Sequence, residues 1–249
     1  RSILFNIDIE GPLTKDKTAV LRVFAKMFYN HCGFYGDDLK IAKLERFIEK
    51  QGKTQQFREA FEKVNGAPWT ETRDSFAFFE DDIVSVLQST LGMSEQAARN
   101  WFNGEETNEL SIAQLVADIQ EYVDGKGKDF RLLFMVDEVG QYIGDDGDLM
   151  INLQSLVEEI GIRCHGKVWV MVTSQEAIDS VVHITGNDFS KIQGRFNTRL
   201  SLSSSSVDEV IKKRVLAKTD AADQLLRMVY DKEHAVLKNL YTFNNPVLD

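Results

Sequence analysis

Residues 131–142, Arg-Leu-Leu-Phe-Met-Val-Asp-Glu-Val-Gly-Gln-Tyr, constrain the fold more than any other stretch of the chain. Leu132 to Val136 form an unbroken apolar run that stops at two adjacent carboxylates, Asp137 and Glu138. So short a run reads as a strand buried on both faces, as in a parallel sheet. Functional groups in such sheets gather at the C-terminal ends of the strands. One carboxylate there can hold Mg²⁺, usually through its water shell, while its neighbour polarises a water for attack on a phosphate. That pair is a Walker B pattern. The plainer alternative is a buried strand that ends in a solvated Asp-Glu.

The next segments of the chain argue against the plainer alternative. A second apolar run, Lys167 to Thr173, ends in Thr173-Ser174-Gln175, and a third strand is expected at 198–202 after Gly194-Arg195-Phe196-Asn197. A polar side chain on Thr173, Ser174 or Gln175 could bond the attacking water or the γ-phosphate; the alternative is ordinary turn chemistry. Arg195 and Arg199 flank Phe196, and a guanidinium offered to a neighbouring subunit's nucleotide would neutralise transition-state charge. A surface salt bridge is the alternative there, more so for Arg199.

The rest of the chain is mostly helical in pattern. A strand at 3–9 is stopped by Gly11-Pro12, and helices are expected at about 16–31, 39–50, 54–65, 74–91, 94–102 and 112–125. After the Asp-Glu strand, Asp148 is the expected cap of a helix at 149–160 that Gly161 closes, and short helices come next at 176–182 and from a capping box at Ser206–Glu209. The last helix covers about 221–240. The resulting division is an α/β core at 1–33 and 111–205, a helical insertion at 34–110, and a helical C-terminal part at 206–249.

Composition narrows the function. A net charge of −10 disfavours a non-specific DNA surface, and no stretch has the length of a membrane span. Cys32 and Cys164 lack metal-type spacing and suggest a reducing compartment, hence the cytoplasm. The histidines are isolated, so zinc is not expected. The lone Gly52-Lys53-Thr54 comes after a helical pattern rather than a strand and reads as a helix stop, not a phosphate loop. A phosphate loop is therefore expected upstream of Arg1, and the chain alone is expected to bind ATP poorly and to be inactive by itself.

Val136 to Gly144, Val172 to Glu176 and Lys191 to Phe196 together resemble the BrxC/PglY family, the P-loop ATPases of bacteriophage-exclusion (BREX) defence systems. Leu4 to Asp8, Val23-Phe24 and Phe34 to Gly36 also fit, and the likeness is weakest across 55–110 and beyond 220. The resemblance implies an AAA+-like three-layer α/β core with a parallel sheet, incomplete at its N-terminal side, and ATP and Mg²⁺ as substrate and cofactor. It implies Asp137 assisting Mg²⁺, Glu138 activating water, a sensor within Thr173–Gln175, and Arg195 as finger. It also implies self-oligomers and a defence complex that includes a DNA methyltransferase, with DNA reached through that complex and no membrane. Two rivals remain: a nucleotide-dependent assembly module without catalysis, and a GTP switch, which lacks an N-K-x-D motif.

Overall fold

The computed structural model describes residues 1–103, 110–144, 146–174, 196, 198, 200, 209 and 211–240. Three parallel strands form its sheet: β1 (Ser2–Asn6), β2 (Leu132–Asp137) and β3 (Val168–Val172), in that spatial order. The register sets Asn6 beside Asp137 and Val136 beside Val172, so the three strands end level with one another. The strand read from the sequence as 3–9 is shorter. Asn6 ends it because its side-chain oxygen accepts from the amides of Asp8 and Ile9, capping a one-turn helix, α1 (Ile7–Glu10).

The sheet is buried on one face by alternation. Ile3, Phe5, Leu132, Phe134, Val136 and Val168 are buried under α2 (Ala19–Cys32), α8 (Ile112–Gly125) and α10 (Gly147–Arg163). Phe24 of α2 packs edge-on against Phe5 at 5.5 Å and lies 5.3 Å from Phe134. The opposite face differs from the three-layer expectation. Leu4, Trp169 and Met171 stand 68%, 61% and 49% exposed on it, and no helix among the described residues covers them. Two layers are therefore described, not three.

Between α2 and α8 the chain is helical: α3 (Leu39–Lys50), α4 (Thr54–Asn65), α5 (Trp69–Thr72), a 3₁₀ stretch at Arg73–Phe78, α6 (Glu80–Leu91) and α7 (Glu95–Asn103). They build a second apolar cluster around Ile48, Phe57, Phe61, Trp69, Ile83 and Leu87. The single helix expected at 74–91 breaks at Phe79, whose backbone leaves helical angles before α6. Gly52-Lys53-Thr54 joins α3 to α4 with Gly52 at φ +66°, so no strand precedes it.

A buried polar network ties α3 to the core. Asp118 of α8 is 4% exposed; it accepts from Tyr29 of α2 at 2.7 Å and from Gln114 at 2.9 Å, and pairs with Arg46 of α3. Burial first, and Asp118 second, push the Tyr29 phenol well above its ordinary range and keep it a donor.

Two helix ends also differ from expectation. Asp146, not Asp148, caps α10, accepting from Asp148 and Leu149, and the helix runs through Gly161 to Arg163. Arg1–Asn197 forms one compact unit and Thr198–Asp249 another; the second contains a π turn at Ile211–Val215 and α11 (Asp220–Leu240). No described helix is long and apolar enough to cross a membrane.

Candidate active site at the sheet ends

Because the strands end level, the residues that terminate them meet. Asn6 comes from β1, Asp137 and Glu138 from β2, and Thr173 and Ser174 come directly after β3. Strand parallelism and register bring the backbones of these residues together, although β1 and β2 are separated by over a hundred residues of sequence.

The hydrogen bonds give each group one role. Thr173 donates its hydroxyl to Asp137 Oδ1, and the Thr173 hydroxyl oxygen accepts the Glu138 amide at 3.2 Å. Asp137 Oδ1 also accepts that amide, at 3.1 Å. No described residue bonds Asp137 Oδ2, and the side chain is exposed. Thr173 thus fixes the first carboxylate through one oxygen and leaves the second without a partner among the described residues.

Glu138 is held differently. Its backbone is left-handed, at φ 61° and ψ 29°, and it serves as the N-cap position of α9 (Val139–Ile143). Such a conformation costs a non-glycine residue about 1 kcal/mol or more and persists only where its surroundings impose it. Here the Thr173 hydroxyl takes the Glu138 amide, and the Thr173 carbonyl takes the Val139 amide at 3.0 Å. The turn re-aims the Glu138 side chain toward β1, where Asn6 Nδ2 donates to its Oε2 at 2.6 Å. The Asn6 amide orientation is unambiguous: its oxygen already accepts two backbone N–H groups of α1, so its NH₂ must face the carboxylate.

The far end of α9 is clamped too. Lys15 Nζ donates to the Tyr142 carbonyl at 2.8 Å and sits 4.1 Å from the centre of the Tyr142 ring. A cation over the last carbonyls of a helix is favourable. Gly11 lies so close to the Tyr142 ring that a β-carbon there would come within 2.6 Å of it.

Ser174 does not reach the site. Its hydroxyl is buried with no hydrogen-bond partner among the described residues and faces Gly140, where any β-carbon would overlap it. Of the three sensor candidates, Thr173 is the one at the carboxylates, Ser174 packs behind them, and Gln175 lies outside the described residues. Arg195 and Arg199, the finger candidates, lie outside them as well. Asn6 escaped the sequence reading because Ile-Leu-Phe-Asn-Ile-Asp-Ile looks like uninterrupted strand. The available signal was an asparagine before Ile-Asp-Ile-Glu, a cap ahead of an acidic first turn.

Gly140→Ala is expected to force Ser174 aside and to destabilise the chain by about 1–3 kcal/mol. Adding Ser174→Gly should recover much of that loss. Urea midpoints of the two single variants and the double variant measure the coupling.

Mg²⁺ suits the donors present. The described residues contain no cluster of three or more acidic, histidine or cysteine ligands. One exposed carboxylate is what Mg²⁺ needs when substrate phosphates and water complete its shell. Compared with known families and solved structures, the chain matches no family model and no structure.

Proposed function

We propose that this chain carries the water-activating half of an ATP-hydrolysing, AAA+-like P-loop enzyme of the BREX defence type. The observation that carries the reading is the sheet-end constellation: Asp137 locked by Thr173, with Glu138 turned on a left-handed backbone to a 2.6 Å bond with Asn6. A carboxylate that merely ended a strand would need neither the left-handed turn nor two side chains from neighbouring strands.

Bound Mg²⁺ would neutralise charge on the phosphates. Asp137, whose Oδ2 bonds no described residue, would hold that ion through its water shell. Glu138 would accept a proton from the water attacking the γ-phosphate, and Asn6 would fix the direction in which its carboxylate points. Thr173 would hold the Asp137 carboxylate and the Glu138 backbone in fixed directions by bonding Oδ1 and the Glu138 amide. Arg195, from a neighbouring subunit, is the proposed finger. The resemblance supports the wider placement: a cytoplasmic self-oligomer in a complex with a DNA methyltransferase.

Asn6→Asp tests the chemistry while sparing the fold. Aspartate still caps α1 through its oxygens, yet sets a second carboxylate against Glu138. Steady-state ATPase assays on the full-length protein should show kcat down by about tenfold or more, with the acid limb of the rate profile moved to higher pH. The sign comes from like-charge repulsion, which makes the ionised form of Glu138 harder to hold. An unchanged rate and profile would detach Asn6 from the reaction.

A further inference from the structure

A cavity of about 140 Å³ lies where the end of α2 meets α3, α4 and α5, and it shares no residue with the sheet ends. It holds the space of about five waters. Drug-sized molecules occupy sites of about 300 Å³ or more, so only a small ligand fits.

Most of the lining is already accounted for. Ile48, Phe57 and Trp69 are buried and form an apolar floor. Burial first, and the Glu49 charge second, push the Cys32 thiol up to about 12, so that wall is a neutral thiol and not a nucleophile. Glu45 is fully employed: it accepts from the Tyr35 amide at 2.6 Å and the Trp69 indole at 2.7 Å, and pairs with Arg73 at 3.0 Å.

Two opposite charges remain. Arg58 of α4 and Glu49 of α3 both line the cavity, and neither side chain has a hydrogen bond or ion pair with any described residue, including each other. Arg58 Nε is buried with no partner among the described residues, so the guanidinium has lost hydration without gaining an acceptor. A simple anion at Arg58 would have to share the cavity with Glu45 and Glu49. A simple cation at Glu49 would have to share it with Arg58. A ligand that carries both charges meets each with its opposite.

We propose that this cavity binds a small α-amino acid, at a site separate from the sheet ends. Its carboxylate would lie toward the Arg58 guanidinium, the pairing for which arginine is best suited, and its ammonium toward Glu49. A short side chain would rest on Phe57 and Trp69.

The test titrates the 249-residue chain with L-alanine and, separately, with propionate and ethylamine, which each keep one of the two charges. Backbone amide shifts and the Trp69 indole N–H, bonded to Glu45 in the cavity wall, report the site. L-alanine is expected to bind with Kd of about 1–10 mM, about tenfold or more tighter than either single-charge probe, and to shift the Trp69 indole with amides near Glu49 and Arg58. Arg58→Met keeps the apolar stem and removes the charge, so binding should weaken by about tenfold or more. Its urea midpoint should hold or rise, because the guanidinium has no described partner to lose. Glu49→Gln, at an exposed position, should keep the midpoint and weaken binding by about threefold or more. Undiminished binding in either variant, shifts confined to the ends of β1–β3, or no binding at about 50 mM would each overturn the site. A lowered midpoint in Arg58→Met would overturn the premise of an unemployed cation. Propionate or ethylamine binding as tightly as L-alanine would overturn the doubly charged ligand.

Discussion

Glu138→Gln in the full-length protein is expected to bind ATP with near-normal affinity and to lose hydrolysis by about 10²–10⁴-fold, the range that general-base catalysis supplies. The amide keeps the shape of the side chain and can still meet Asn6, now 2.6 Å from a carboxylate oxygen. What it cannot do is take a proton. The left-handed turn at residue 138 is backbone-determined through the Thr173 hydroxyl and carbonyl, so the variant should fold like the parent. Single-turnover hydrolysis alongside nucleotide binding separates the two effects. Turnover at the parental rate would remove Glu138 from the water-activating role. Asp137→Ala should behave differently: it removes the acceptor of the Thr173 hydroxyl and the proposed hold on Mg²⁺, so binding itself should fall.

The largest stability effect is expected at Asp118. Replacing it with alanine strands the Tyr29 hydroxyl in a buried site and takes the inner partner from Arg46, whose side chain is 16% exposed. Orphaned buried donors and broken buried pairs each cost on the order of 1–5 kcal/mol, so a loss of about 3 kcal/mol is expected. Glu121 remains as the outer partner of Arg46, which keeps the loss below the full cost of an isolated buried charge. Asp118→Asn retains an acceptor for Tyr29 and should cost about 1 kcal/mol. Chemical denaturation of both variants checks the ranking. Because Asp118 joins α8 and α2 to α3, the alanine variant should also loosen the helical insertion first, visible as faster amide exchange in α3 than in β2.

The same residues show how much was legible from sequence. Leu132 to Val136 announced a strand because five apolar residues in a row admit few alternatives, and the Asp-Glu after them does stand at a sheet end, but only Leu132, Phe134 and Val136 are buried, so burial on both faces was not met. Thr173 was within a candidate trio, but its selection over Ser174 depends on which of two adjacent residues continues the strand pleat outward. That is a question of register against Gly140, which no local pattern encodes. Asn6 was hidden for a related reason. Its importance comes from lying beside Asp137 across a parallel pair, a contact spanning most of the chain. Cap choice in Asp145-Asp146-Gly147-Asp148 failed because three carboxylates compete within one turn and only geometry selects Asp146. The open sheet face was invisible because Leu4, Trp169 and Met171 are as apolar as the residues on the covered side.

The placement of the reaction at the sheet ends is tested most directly by a structure of the full-length protein with Mg²⁺ and a non-hydrolysable ATP analogue. The expected result is the γ-phosphate over the C-terminal ends of β1 to β3, one water from the Glu138 carboxylate, with the Mg²⁺ shell touching Asp137. A nucleotide bound elsewhere, with Asp137 and Glu138 still facing bulk solvent, would contradict it.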